Sequence, residues 1–327
     1  MASAATQASV PTSASRLLGW VARAQGPLVG LVLLCVIFSL ASPVFLSLRN
    51  ALNVIDQGTV LGILAIGMTL VIVIGGIDLS VGAILALATM TMGWTFRDFG
   101  LPFALCVVLA LVAGALAGLV NGLLITQARL PAFIATLTMM SVARGIANLT
   151  TDGEQVVGFP DWFTNLATIR HFGVLSVTVA LFLALAVIAF VFLRLRATGR
   201  SLYAIGGSAE VARLAGIAVK PLTVAVYVAS GVLAAVAGVV MAARLDSAQP
   251  SDGLGYELDT IAAVVIGGAS LSGGTGGIGG TVIGVLIIGV LHNGLNLIGI
   301  SPFIQQVVIG AVIAVAVTFD TLRRRES

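Results

Sequence analysis

Charge is scarce in this sequence: Asp, Glu, Lys and Arg together make up 9% of its 327 residues, against roughly 25% in soluble domains. Lysine is nearly absent. Lys220 is the only one, and it precedes Pro221. A phosphate-cradling Gly-x-x-x-x-Gly-Lys-Ser/Thr loop therefore does not occur, and the glycine run from Gly273 to Gly280 has no Lys after it. Any ATP hydrolysis tied to this chain must take place on another. Only two cysteines are present, Cys35 and Cys106, each inside an apolar run. They read as small core residues, because a disulfide needs suitable geometry and an oxidising compartment. The two histidines, His171 and His292, lie far apart, which excludes a His-based metal cluster. No metal or cofactor is expected in this chain. No polar stretch is long enough for a separate soluble domain.

What is present in excess is apolar sequence, at 59% hydrophobic residues. A soluble fold of this length has too little interior for it, so lipid must be the solvent for most of the chain. A helix needs about 20 apolar residues to cross roughly 30 Å of hydrocarbon. Runs of this kind occur at 28–44, 54–74, 81–92, 101–125, 174–193, 222–243, 278–298 and 303–319, with shorter ones at 131–147 and 258–269. The expected fold is an all-α integral membrane protein of about ten transmembrane helices, some short or broken. Residues 1–26 are expected to form a flexible cytosolic tail, 27–322 the membrane domain and 323–327 a cytosolic C-terminal tail. The first apolar run is longer than a signal-peptide core and is followed by nine more, so it reads as a span.

With ten spans and a cytosolic N-terminus, Arg16, Arg23, Arg129, Arg194, Arg196, Arg200, Arg213, Lys220, Arg323, Arg324 and Arg325 fall inside. Asp98, Asp152, Glu154, Asp161, Asp246, Asp252, Glu257 and Asp259 fall outside. This is the positive-inside pattern. The basic residues orient the chain and require no nucleic-acid partner.

Two segments repeat. Ile74-Gly-Gly-Ile-Asp-Leu-Ser-Val-Gly82 is echoed by Ile266-Gly-Gly-Ala-Ser-Leu-Ser-Gly-Gly274. Each is followed by an Asn-Gly pair, Asn121-Gly122 and Asn293-Gly294, and then by a Pro-Phe element, Leu130-Pro-Ala-Phe-Ile134 and Ser301-Pro-Phe-Ile304. With five spans in each half, an odd number, the halves sit inverted in the membrane, an arrangement typical of transporters. The Gly-Gly pairs interrupt apolar sequence, and such breaks are tolerated at membrane depth only where protein or a water-filled cavity covers them.

The longest cytosolic connection is the loop 194–221. Ser208 is a good helix cap after Gly206-Gly207, Glu210 suits the first turn of a helix dipole, and Val211, Leu214 and Ala215 follow at helical spacing. Gly216 ends the turn. The segment Thr198-Gly-Arg-Ser-Leu-Tyr-Ala-Ile-Gly-Gly-Ser-Ala-Glu-Val-Ala-Arg-Leu-Ala-Gly216 closely resembles the coupling loop of ribose/xylose-type ABC permeases. Gly75-Gly-Ile-Asp-Leu-Ser-Val-Gly82, Asn121-Gly-Leu-Leu-Ile-Thr126 with Leu130-Pro-Ala-Phe-Ile-Ala-Thr136, and the stretch 255–268 resemble further hallmarks of that family. The likeness covers nearly all of residues 28–322.

The resemblance implies a dimeric permease, of two copies or of paralogues, in the bacterial inner membrane. It implies an ATPase on the cytosolic face that binds the ATP and Mg, and a periplasmic sugar-binding protein on the other. It implies that a monosaccharide is the cargo and that this subunit is not itself an enzyme. Gly206, Gly207, Ser208, Ala209, Glu210, Arg213, Leu214 and Gly216 are the expected ATPase-coupling residues. Polar groups in the spans, Asn53, Gln57, Asp78, Asn121, Asn293, Asn296 and Gln305, with Phe133 and Phe303 as gates, are the candidate translocation pathway. Each also has a packing or interhelical hydrogen-bonding reading, and Asp78 a capping one at the helix beginning near Ser80. Arg144 is expected to pair with an acid or a carbonyl. The polar segments 151–170 and 244–259 are candidate docking surfaces for the binding protein. Alternatives are an ABC permease for an amino acid or other small solute, and a stand-alone ion-coupled carrier using Asp78. A Ser hydrolase built on Ser270 or Ser272 with His292 lacks both a Gly-x-Ser-x-Gly turn and an orienting acid.

Overall fold

The computed structural model describes residues 13–171 and 173–325. Its elements, in chain order, are α1 (Ser13–Ala41), α2 (Leu48–Val73), α3 (Val81–Arg97), α4 (Phe103–Thr126), α5 (Ala132–Leu149), β1 (Val156–Val157), α6 (Asp161–Thr168), β2 (Arg170–His171), β3 (Leu175–Ser176), α7 (Val177–Leu195), α8 (Ala197–Gly207), α9 (Ala209–Leu214), α10 (Val219–Leu245), β4 (Ser247–Ala248), α11 (Tyr256–Ile266), α12 (Ile278–Leu297) and α13 (Pro302–Arg325). Among the described residues, six helices, α2, α4, α5, α7, α10 and α12, are long and apolar enough to cross a membrane, and shorter apolar stretches lie at Gly26–Ala41 and Pro302–Val315. The chain is an all-α membrane protein.

Local sequence explains where the helices begin. Ser47 caps α2, its Oγ accepting from Asn50 N at 3.3 Å, and Ser176 caps α7 through Val179 N at 3.3 Å. Pro102, Pro131 and Pro160 stand immediately before α4, α5 and α6, and α13 starts on Pro302. Proline is pre-organised for a helix start and lacks only a donor that would be unpaired there.

Three differences from the sequence reading stand out. The loop 194–221 is mostly helical: it contains α8 as well as the expected short helix α9, and α10 already begins at Val219. The stretch 151–176 carries α6 and three short strands. At the N-terminus α1 is helical from Ser13, within the stretch expected as a tail. Residues 1–12 and 326–327 lie outside the described residues, as do the side chains of Arg16, Arg23 and Arg323–Arg325.

Helix α2 is the axis of the molecule. Residues 59–73 are buried on every side, as are the first ten residues of α3. A helix apolar all round must be surrounded, and α10, α12, α7 and α11 surround α2. Between α4 and α10 the contact is backbone to backbone. A Cβ on Gly114 would overlap the Gly231 carbonyl, one on Gly118 the Tyr227 carbonyl, and one on Gly122 would come within 2.8 Å of Val224 Cα. In lipid the apolar solvent removes the hydrophobic drive for helix pairing, so this close approach supplies the adhesion.

One end of the bundle is tied by its loops. Strand β1 pairs antiparallel with β4, Val156 facing Ala248. Asp246, in the left-handed region at φ 50°, accepts from Phe159 N at 3.1 Å. Arg144, near the end of α5, donates to the carbonyls of Pro250 and Asp252, the latter at 2.7 Å. Arg170 on β2 grips Asp56 of α2 at 2.5 Å.

Overpacking a tight contact costs about 1–3 kcal/mol, whereas Gly to Ala in an open helix interior stabilises by roughly 0.5–1 kcal/mol. Gly118→Ala is therefore expected to lower the melting temperature of the detergent-purified chain. Gly145→Ala, where a Cβ meets nothing within 4 Å, is expected to leave it unchanged or raise it. Tryptophan-fluorescence melts of the two variants check this directly.

Candidate functional site

Three groups of residues carry the chemistry, and the fold places them at different levels. The first is α9. Ser208 Oγ accepts from Val211 N at 3.3 Å and caps the helix. At the other end Gly216, at φ 82°, closes it: Gly216 N bonds Arg213 O and Ile217 N bonds Ala212 O, both at 3.0 Å. That is a left-handed helix stop of the kind glycine makes possible. Ala212 faces the protein at 2% exposure, whereas Val211 and Leu214 are 65% and 73% exposed. Glu210 holds Arg213 through two bonds, of 2.6 and 3.2 Å. That hydrogen bond raises the Arg213 pKa above its ordinary value. The helix thus presents two apolar side chains flanked by an exposed ion pair.

The second group surrounds the two breaks. Helix α2 stops at Val73, Gly75 turns left-handed at φ 79°, and Gly76 N bonds back to Val71 O at 2.9 Å. The second copy closes in the same way one residue later: Gly268 is at φ 92° and Ala269 N bonds to Val264 O at 3.1 Å. Asp78 Oδ1 then accepts from Ser80 N at 3.0 Å, and in the second copy Ser270 Oγ accepts from Ser272 N at 3.2 Å. The two segments that look alike in sequence therefore fold alike in their turns.

Asp78 is fully buried. Besides Ser80 N it accepts from Ser80 Oγ at 2.5 Å and from Ser230 Oγ of α10 at 2.8 Å. Asn121 of α4 donates to Ser80 Oγ at 2.9 Å, and Thr136 of α5 donates to Ile77 O at 3.3 Å. One carboxylate so links the start of α3 to α10 and, through Ser80, to α4. Ser230 and Tyr227 were not among the expected site residues. The only sequence signal for them is a polar group in the apolar run 222–243.

The third group lies at the opposite end of α2. Asn50 and Asn293 exchange two hydrogen bonds of 2.9 Å. Arg170 also reaches Asn53 at 3.3 Å. Gln305 donates to Asn296 at 2.8 Å, and His292 sits between Gln305 at 3.4 Å and Asp259 at 3.1 Å. Asp259 is thus the orienting acid that the sequence reading found missing beside His292, but Ser270 and Ser272 lie at the second break, at the other end of α2. The expected pathway residues are therefore divided. Asn53, Asn293, Asn296 and Gln305 gather at this end, with Gln57 exposed one turn along α2 from Asn53. Asp78 and Asn121 sit at the other end. Phe133 and Phe303 open α5 and α13 and are exposed at 48% and 80%; the structure does not bring them together. An open crevice between α2, α7 and α12, lined by Val54, Ile55, Gly58, Phe182, Val282, Val285 and Leu286, is apolar throughout.

Helix α8 joins the first group to the second. Tyr203 donates to Gly276 O at 3.0 Å, and burial raises its pKa above the ordinary value, so the hydroxyl stays protonated as a donor. Leu202 and Ile205 are buried beneath it.

Removing a buried acceptor leaves its donors unsatisfied, at about 1–3 kcal/mol each. Asp78→Ala orphans Ser80 N, Ser80 Oγ and Ser230 Oγ at once. It is expected to lower thermal stability markedly more than Asp78→Asn, which keeps an oxygen for the Ser80 donors. Differential scanning of the two purified variants checks this, and equal melting temperatures would contradict it.

The family described as "Branched-chain amino acid transport system / permease component" matches residues 50–317. The chain is 46% identical over 297 residues to the ribose import permease protein RbsC of Bacillus subtilis (strain 168), covering 90% of this chain and 92% of that protein. It is 42% identical over 306 residues to the ribose import permease protein RbsC of Escherichia coli (strain K12), with 92% and 94% covered. It is 36% identical over 309 residues to the fructose import permease protein FrcC of Rhizobium meliloti, with 91% and 85% covered. No solved structure matches. With four-fifths of its length inside the family match and relatives aligned almost end to end, the chain belongs to the permease-component family of branched-chain amino acid transport systems.

Proposed function

We propose that this chain is the membrane-spanning subunit of an ATP-binding-cassette importer that carries a monosaccharide from the periplasm to the cytosol. The observation that carries the reading is α9: a capped helix whose two largest apolar side chains, Val211 and Leu214, point away from the protein beside the Glu210–Arg213 pair. Such a face fits a groove on a partner, and a separate ATPase, holding its own ATP and Mg, is the partner it fits.

The proposed architecture is ten crossings in two sets of five that start from opposite faces: α1 to α5, then α7, α10, α11, α12 and α13; the two like Gly-Gly breaks, bonded to each other on one face, are not counterparts under that inversion. Contacts between helix ends and loops support it. Val156 lies against Gly93 of α3, Arg144 of α5 reaches the 250–252 loop, Asn50 of α2 meets Asn293 of α12, and Phe38 of α1 covers Gly294. These belong to one face, with the acidic segments 151–170 and 244–259, where the periplasmic binding protein would dock. Val73, Gly206 and Gly274 meet on the other face, where Arg194, Arg196, Arg200, Arg213 and Lys220 also fall. The inner membrane is the compartment this implies, with both termini in the cytosol. A second copy or a paralogue completes the conduit. Asn53, Gln57, Asn293, Asn296 and Gln305 line its outer half, with Asp78 and Asn121 nearer the cytosol.

Glu210→Lys places two like charges on one turn of α9. In proteoliposomes holding the complete importer, sugar uptake per ATP hydrolysed is expected to fall about tenfold, a loss within the usual range of coupling energies. Unchanged coupling would overturn the assignment of α9. Asn293→Leu and Gln305→Leu are expected to slow uptake several-fold, on the scale of one buried hydrogen bond, with normal assembly by size-exclusion chromatography. Normal uptake kinetics in both would remove them from the pathway.

A further inference from the structure

The C-terminal end of α8 fits into a backbone joint. A methyl group on Gly206 would overlap both the Val73 carbonyl, at the end of α2, and the Gly274 amide, in the loop that leads from α11 to α12. Those two groups are themselves bonded: Gly274 N donates to Val73 O at 2.9 Å. A Cβ on Gly273 would lie 2.8 Å from both Gly206 O and Gly75 N. One on Gly75 would meet Ser272 O at 3.6 Å. Three chain segments thus touch through main-chain atoms alone: the break of the first half, the break of the second half, and α8. Tyr203 adds a fourth contact, its hydroxyl bonded to Gly276 O. Two residues beyond Gly206 stands Ser208, the cap of α9.

The absence of side chains at the joint matters physically. A long side chain between two elements can change rotamer and absorb a displacement. Main-chain atoms in van der Waals contact cannot, because close-packed interiors transmit strain. A push or rotation applied to α9 therefore reaches Val73 and Gly274 together, the two points at which the broken segments are bonded to each other. We propose that Gly206 is a positioning residue of the transport cycle: its main-chain contact with Val73 and Gly274 is the joint through which movement of α9 acts on both halves at once. The proposal rests on α9 being the ATPase-docking element, and goes beyond it by assigning the inward route of the force.

The structure supplies its own control. Gly145, on α5, lies inside a helix as Gly206 does, and neither has the positive φ that would strain an alanine; a Cβ on Gly145 meets nothing within 4 Å. Gly206→Ala and Gly145→Ala thus make the same change in a helical glycine and differ in the contact. Tyr203→Phe removes one hydrogen bond at constant shape.

The experiment uses the complete importer in proteoliposomes: this chain with its ATPase and periplasmic binding protein, radiolabelled ribose as the probe, and uptake per ATP hydrolysed as the readout. Gly206→Ala is expected to assemble and hydrolyse ATP while moving at least about tenfold less ribose per ATP, an effect of the size usual for couplings between sites. Gly145→Ala is expected to match the wild type, and Tyr203→Phe to fall between it and Gly206→Ala. Equal behaviour of the two alanine variants, whether both normal or both impaired, would overturn the joint. Should Gly206→Ala fail to reach the membrane, Tyr203→Phe decides: a lowered ratio supports the joint and an unchanged one overturns it. Absence of ATP-dependent uptake by the wild-type complex would instead overturn the functional reading, and the joint with it; this is visible before any variant is made.

Discussion

The carbonyl of Val73 ends a 26-residue apolar helix, and no further helical turn follows to bond it. In lipid an unmet main-chain group costs several kcal/mol, and irregular backbone survives at membrane depth only under cover of protein. The bond from Gly274 N meets that demand. It also binds the two broken segments to each other, so the same contact that makes the breaks tolerable unites the two halves. Much of the remaining architecture serves as cover. Helices α4 and α10 close on the first break through Asn121 and Ser230, and α8 closes on the joint from the third side.

The chemistry of adhesion follows from the solvent. Lipid gives apolar helices little reason to prefer each other over acyl chains, so contact is made by van der Waals packing and hydrogen bonds. Gly114, Gly118 and Gly122 let α4 lie on the backbone of α10. Buried polar groups then link helices rather than face solvent: Asp78 with Ser230, Asn50 with Asn293, Thr69 with Thr281. Asp78 illustrates the general point about intramembrane ionisable groups. Such a residue suggests function by default, yet this one has its oxygens taken by Ser80 and Ser230. Its first effect is to hold the start of α3 in place.

Features carried by one or a few adjacent residues were legible in the sequence. The Gly-Gly breaks, the Ser208 cap and the Gly216 stop follow from glycine conformation and side-chain oxygens. Features that depend on distant partners were not. Helix α8 has three glycines among its eleven residues, which weakens its helical signal, and it is held by burial of Leu202 and Ile205 and by the Tyr203 bond. The β1–β4 pairing joins residues about ninety apart in two polar loops, neither of which has strand periodicity. The candidate pathway residues were chosen for polarity alone, and polarity does not say at which end of a helix partners meet. Hence the set divides between the Asn293 end and the Asp78 end, and its two aromatic members stand apart.

In the proposed function, the joint at Gly206 and the exposed face of α9 belong to a conduit that responds to work done outside the membrane. The most direct measurement of that claim is accumulation of labelled ribose against a gradient by liposomes holding either this chain alone or this chain with its ATPase and binding protein. Accumulation only in the complete assembly, and only with ATP, is the predicted result. Uphill uptake by the chain alone, driven by an ion gradient, would contradict it.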